Sequence, residues 1–141
     1  MKAMPRIGSV MTPFPYSLGP EDSLDKARRL MAEHGIRHLP VMVSGRPAGV
    51  ITDQDLRRAA AAGSAETPQR VGELELSATC EFDISAPLDL VLDEMAGRHL
   101  DSALVLKGGR LVGIFTATDA CRTFAELLRR EAPSPDGESA A

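Results

Sequence analysis

The sequence has no excess of positive charge, no long apolar run and very little cysteine. Its 16 Lys and Arg against 20 Asp and Glu leave a formal net charge of −4. Neutralising nucleic-acid phosphates takes a clustered basic surface. The largest basic clusters are the pairs Arg28–Arg29, Arg57–Arg58 and Arg129–Arg130, each inside a helical pattern that reads as a solvated face. No nucleic-acid partner is expected. No run approaches the roughly 18 apolar residues of a membrane span, and residues 1–10 lack the apolar stretch of a signal peptide. No membrane association is expected, and the expected location is cytoplasmic. The two cysteines, Cys80 and Cys121, have no motif spacing and suggest no disulfide framework. A reducing compartment suits both as free thiols.

What is present is repetition. The 141 residues, 43% hydrophobic and 26% charged, suffice for one compact unit or two very small ones. "GVITDQD" at Gly49–Asp55 returns as "GIFTATD" at Gly113–Asp119, 64 residues on from Thr52 to Thr116. The same offset lays Leu24 on Leu88, Asp25 on Asp89, Met31 on Met95, Val41 on Val105 and Arg58 on Arg122, without a gap. The chain is an internal duplication.

Each copy reads β-α-β-β-α. An extended piece (Tyr16–Leu18; Cys80–Phe82) leads to a helix with one apolar stripe, Leu24, Ala27, Leu30 and Met31 in the first copy and Leu88, Val91, Leu92 and Met95 in the second. Gly35 stands where a left-handed cap ends the first helix. Two apolar runs split by a glycine-containing turn read as a strand pair, and a second helix opens at each Thr-x-x-Asp. The expected fold class is α+β: two tandem repeats with pseudo-twofold symmetry and small facing sheets. The expected limits are residues 7–62 and 71–131, a joint over 63–70 and a disordered tail over 132–141.

Thr-x-x-Asp has two readings. A threonine before a helix, with an acidic residue three places on, is a capping box in shortened form. The same geometry offers free N–H groups and a hydroxyl to an anion and a carboxylate to a pair of ribose hydroxyls. Gly49 and Gly113 would then let a ligand approach the strand backbone. Both readings stay open on spacing alone.

In order and at constant offset, these segments resemble the tandem CBS domain pair, or Bateman module, over about 125 residues. The resemblance rests on "VMTPFP" at Val10–Pro15, "PEDSLDKARRLM" at Pro20–Met31, "GIRHLPV" at Gly35–Val41, "GRPAGVITDQDL" at Gly45–Leu56, "APLDLVLDEM" at Ala86–Met95 and "GGRLVGIFTATDA" at Gly108–Ala120. It implies a stand-alone regulatory module binding AMP, ADP or ATP, or NAD or S-adenosylmethionine, in clefts between the repeats. It also implies a homodimer, commonly disc-shaped, and an unknown protein partner that carries the output. Carried over residue by residue, it puts Thr52 and Thr116 on phosphate and Asp55 and Asp119 on ribose. Arg37 and His38 would help with phosphate, and phosphate contacts can cross between repeats. Tyr16, Ile36 and Pro40 in one copy, and Cys80, Leu100 and Leu104 in the other, would form the adenine slots. The second copy departs where Asp101–Ser102 replaces Arg37–His38 and Glu75–Leu76 replaces Met11–Thr12, so the two sites are expected to be unequal.

The remaining candidates are weaker. His34 and His38 are four apart, but Gly35 lies between them and a strand begins near His38, so no metal site is expected. His99 stands alone at a helix end. Cys121 has no partner base, and Ala120, Phe124, Leu127 and Leu128 fit either core packing or a dimer seam. No acid, base, nucleophile and metal set converges, so no enzyme and no obligatory cofactor are expected. The competing reading is a ligand-free interaction module in which Thr-x-x-Asp only caps helices.

Overall fold

In a computed structural model the described residues are 3–13, 16–61 and 68–132; Phe14, Pro15, most of the expected joint and residues 133–141 lie outside them. Four helices are present: α1 Leu24–His34, α2 Asp53–Ala61, α3 Leu88–Gly97 and α4 Ala117–Glu131. Six strands accompany them: β1 Thr12–Pro13, β2 His38–Val43, β3 Arg46–Thr52, β4 Cys80–Asp83, β5 Ser102–Lys107 and β6 Arg110–Thr116.

Local chemistry accounts for the helix limits. The Ser23 side chain accepts the Lys26 N–H at 3.0 Å and caps α1. Gly35 ends α1 in the left-handed region at φ 61°, where a side chain would be strained. Leu24, Ala27 and Met31 are buried on α1, and Leu88, Val91 and Met95 on α3. Leu92 departs from the expected stripe and lies exposed.

The second repeat completes a mixed sheet in the order β1-β6-β5-β4, antiparallel except for the parallel β4–β5 pair. The first repeat gives only the antiparallel pair β2–β3. The strand expected at Tyr16–Leu18 shrinks to one parallel bridge, Leu18 to Val41. Val50 of β3, Leu104 of β5 and Ile114 of β6 share one buried cluster between the sheets.

The two halves exchange arms. Ile7 opens a single 3-10 turn at the start of the first repeat, yet its N–H donates to Ala86 O at 2.9 Å, and its side chain lies in the second repeat's core. Val71, its equivalent, donates to Asp22 O at 2.9 Å and fills the first repeat's core. β1 then pairs with β6, and Ser77 bridges Val50 of β3. Each last strand is therefore flanked by the arm that precedes the other repeat. Gly113 permits this: a Cβ there would collide with the Met11 sulfur and come within 2.9 Å of Thr12 O. At Gly49 a Cβ would meet the Leu76 Cβ at 2.8 Å. These glycines admit the arms rather than a ligand, which corrects the expectation from sequence.

Two outcomes follow. Ile7 is 0% exposed, so Ile7→Ala should cost about 2–4 kcal/mol, read as a lower urea midpoint for a single transition spanning both halves. Burial, followed in weight by the charge of Glu94, pushes the Cys80 thiol up, whereas Cys121 is exposed. In native protein a thiol reagent should label Cys121 alone. Cys80 should react only after unfolding.

Candidate functional site

The arm exchange opens a cleft of about 650 Å³ along the seam between the halves. It is lined on one side by Tyr16, His34, Ile36, Arg37 and His38, and on the other by Ile114, Thr116, Thr118, Asp119 and Arg122, with Thr12 beside its strand partner Ile114. The β3–α2 junction of the first repeat faces a smaller cleft of about 380 Å³. It is lined by Val50 and Thr52 together with Ser77, Arg98, His99, Leu100, Asp101 and Ser102. Each cleft thus takes its Thr-x-x-Asp threonine from one repeat and its opposing loop from the other.

Both Thr-x-x-Asp motifs form capping boxes. The Asp119 carboxylate accepts the Thr116 N–H at 2.9 Å while Thr116 Oγ1 accepts the Asp119 N–H at 3.3 Å. In the first repeat the corresponding distances are 2.9 and 3.1 Å, between Thr52 and Asp55. An arginine three residues on steadies each carboxylate, Arg58 on Asp55 at 2.8 Å and Arg122 on Asp119 at 3.4 Å. A hydroxyl from the exchanged arm adds to this, Ser77 to Asp55 at 3.2 Å and Thr12 to Asp119 at 3.5 Å.

The capping reading is realised, and it leaves donors over. The Ala117 N–H is used by Asp101 O at 2.8 Å and the Asp119 N–H by Thr116. Among the described residues the Thr118 N–H and hydroxyl have no partner, and Thr118 lines the larger cleft. The Arg37 guanidinium on the opposite wall has no carboxylate partner among them either. Tyr16 stacks on His34 with centroids 3.8 Å apart and planes 13° apart, giving that wall a flat aromatic element. This combination can hold a flat apolar group at one end and an anion at the other. It has no nucleophile paired with a base, and no group of three His, Cys, Asp or Glu suited to a metal occurs among the described residues.

Of the residues singled out in the sequence, Tyr16, Ile36, Arg37, His38, Thr116 and Asp119 meet in the larger cleft. Thr52 and Leu100 line the smaller one, and His38 borders both. Asp55 does not line the smaller cleft with Thr52; it faces a separate hollow with Arg58, Leu76 and Ser77. Pro40, Cys80 and Leu104 are buried and line none of these clefts, because they point into the cores and the seam between sheets. Ile114 and Thr118 are not among the residues singled out in the sequence, and Thr12 and Arg122, noted there only through the repeat, carry no assigned role. Arg122 repeats Arg58 at the 64-residue offset, the one signal that could have found it.

The clefts differ in charge as the sequence anticipates. Asp101 stands on the smaller cleft where Arg37 stands on the larger, and its carboxylate lies 4.0 Å from His38 Nε2 across the seam. No helix among the described residues is long and apolar enough to cross a membrane.

Comparison with known proteins gives the family. Inosine-5′-monophosphate dehydrogenase of Korarchaeum cryptofilum (strain OPF8) is 44% identical over 55 residues, 39% of this chain and 12% of the dehydrogenase. The chain spans 12% of the length of the curated relatives it matches. The CBS domain pair of protein MJ0100, solved with 5′-methylthioadenosine and S-adenosyl-L-methionine, superimposes with a TM-score of 0.76 at 23% identity, covering 88% of this chain and 98% of that one. CBSX2 in complex with AMP does so with a TM-score of 0.71 at 24% identity, covering 86% and 97%. At these identities the likeness is one of fold. The CBS domain family model matches residues 7–62 and 82–126, so the chain belongs to the CBS domain family and carries two copies of the domain as a tandem pair.

Proposed function

We propose that this chain is a regulatory module that binds an adenosine-containing ligand in the larger cleft and passes the bound state to a protein partner. The observation that carries the reading is Arg37, without an ion-pair partner among the described residues, on the same cleft as the α4 N-terminus. Arg37 and the Thr118 N–H would hold a phosphate. Asp119, fixed by its capping box, would accept from the ribose hydroxyls, and Tyr16, Ile36 and Ile114 would flank the base. The smaller cleft, with Asp101 in place of the arginine and Asp55 turned away, suits a ligand without phosphate. The MJ0100 and CBSX2 complexes support the adenosine class by analogy of fold. AMP, ADP and ATP fit an anion site best; NAD and S-adenosylmethionine are the alternatives. Ligand binding shifts a partner's equilibrium only through differential affinity for two states, so the output depends on how the seam between halves responds.

The capping boxes favour a second reading, an interaction module in which Thr-x-x-Asp is architecture alone. Thermal melts with AMP, ADP, ATP, NAD and S-adenosylmethionine separate the two. A ligand at about 100 times its dissociation constant stabilises a single site by roughly 2.7 kcal/mol, several degrees for a domain of this size. Arg37→Ala removes an exposed group with no ion-pair partner among the described residues, so the free protein should melt unchanged while the nucleotide shift falls. Asp119→Ala should lower both. An absent shift with every ligand at millimolar concentration would leave only the interaction module.

A further inference from the structure

We infer that Arg122 is the residue by which the larger cleft distinguishes a phosphorylated ligand from a bare nucleoside. The inference rests on the adenosine reading above and adds a specificity-determining residue to it. Arg58 and Arg122 stand at equivalent positions, each three residues after the aspartate of a Thr-x-x-Asp. Their contacts differ. Arg58 Nη2 donates to Asp55 Oδ1 at 2.8 Å, an ordinary length for a charge-assisted bond. Arg122 Nη1 reaches Asp119 Oδ1 only at 3.4 Å, near the outer limit of a hydrogen bond.

The other bonds of each carboxylate sharpen the difference. Asp55 Oδ2 accepts the Thr52 N–H at 2.9 Å and the Ser77 hydroxyl at 3.2 Å, so both oxygens of Asp55 are engaged at short range. Asp119 Oδ2 likewise accepts the Thr116 N–H at 2.9 Å and the Thr116 hydroxyl at 3.1 Å. Asp119 Oδ1 has, among the described residues, only the long contact from Arg122 and one at 3.5 Å from the Thr12 hydroxyl, which is shared with Oδ2. A carboxylate oxygen can accept more than that, so Oδ1 is the atom with capacity for a ribose diol. The surroundings of the two arginines differ as well. Arg58 faces a hollow that holds a second carboxylate, Glu75, whereas Asp119 is the one acidic residue among those lining the larger cleft. The Arg122 side chain is 65% exposed and shares that cleft with Arg37 on its other side. A diol that takes Oδ1 displaces the long bond from Arg122. The released guanidinium then has no other carboxylate on the cleft, and its fork of donors matches the oxygens of a phosphate. Arg58 locks its aspartate. Arg122 is free to leave its own for the ligand's anion.

Calorimetric titration of the full chain with adenosine, AMP and ATP, before and after Arg122→Ala and Arg122→Lys, tests this. Arg122→Ala should bind AMP and ATP roughly tenfold or more weakly and adenosine as before, with its far-UV circular dichroism unchanged. Arg122→Lys keeps the charge and should restore part of the loss. Inorganic tripolyphosphate, which carries no nucleoside, should raise the melting temperature of the unaltered chain and raise that of Arg122→Ala less. If Arg122→Ala weakens adenosine and AMP by the same factor, the arginine only positions Asp119. If it binds all three ligands as the unaltered chain does, the arginine touches none of them. Either result overturns the proposal and leaves the adenosine reading standing. An unaltered chain that binds neither adenosine nor the nucleotides overturns both.

Discussion

Everything else in this molecule depends on the reciprocal exchange of two short arms. A repeat of about 60 residues buries too little apolar surface to hold a stable core by itself. Here each core is closed by an apolar residue that opens the other repeat in the chain, Ile7 in one and Val71 in the other. Main-chain hydrogen bonds at equivalent positions hold both plugs, to Ala86 O and to Asp22 O. The halves cannot separate without unfilling both cores at once. The seam between them is therefore a fixed feature of the native state, and a ligand lying there touches residues of both repeats.

The same exchange explains how a capping motif comes to stand on the wall of a cleft. Thr116 and Asp119 satisfy each other at the start of α4, and the exchanged arm adds the Thr12 hydroxyl to the carboxylate. The carboxylate is thereby held in one orientation at the cleft wall before any ligand arrives, which is what preorganisation requires. The capping bonds orient the group, and among the described residues the Thr118 N–H and the Arg37 guanidinium on the same cleft have no protein partner.

Duplication followed by divergence then made the two halves unequal on two surfaces. On the seam, Arg37 and His38 correspond to Asp101 and Ser102, so the two clefts carry different charged groups. On the outside, Ala60 and Arg28 correspond to Phe124 and Leu92, so one helical face is recessed where the other projects. The backbone symmetry is kept because the core positions and arm plugs leave little latitude. The exposed positions are free to change.

Much of this was legible in the residues alone. The helices follow from apolar spacing, the end of α1 from Gly35, and both capping boxes from Thr-x-x-Asp, because each of those signals lies within one turn of the element it specifies. The difference in charged groups between the two clefts also followed from sequence, through the Arg37 and Asp101 positions. The arms did not. Their pairing with β6 and β3 runs through main-chain groups that every residue carries, and Ile7 and Val71 read equally well as core of either half. For the same reason the sequence could not say which threonine faces Arg37, since the duplication makes pairing within and between repeats alike in composition. It also misread Gly49 and Gly113, whose missing side chains make room for Leu76 and Met11 rather than for a ligand, and it set Leu92 among core residues. Local elements and their caps are determined by neighbours in the chain. The partition of the site between the repeats was decided only by tertiary packing, because it depends on which half each arm fills.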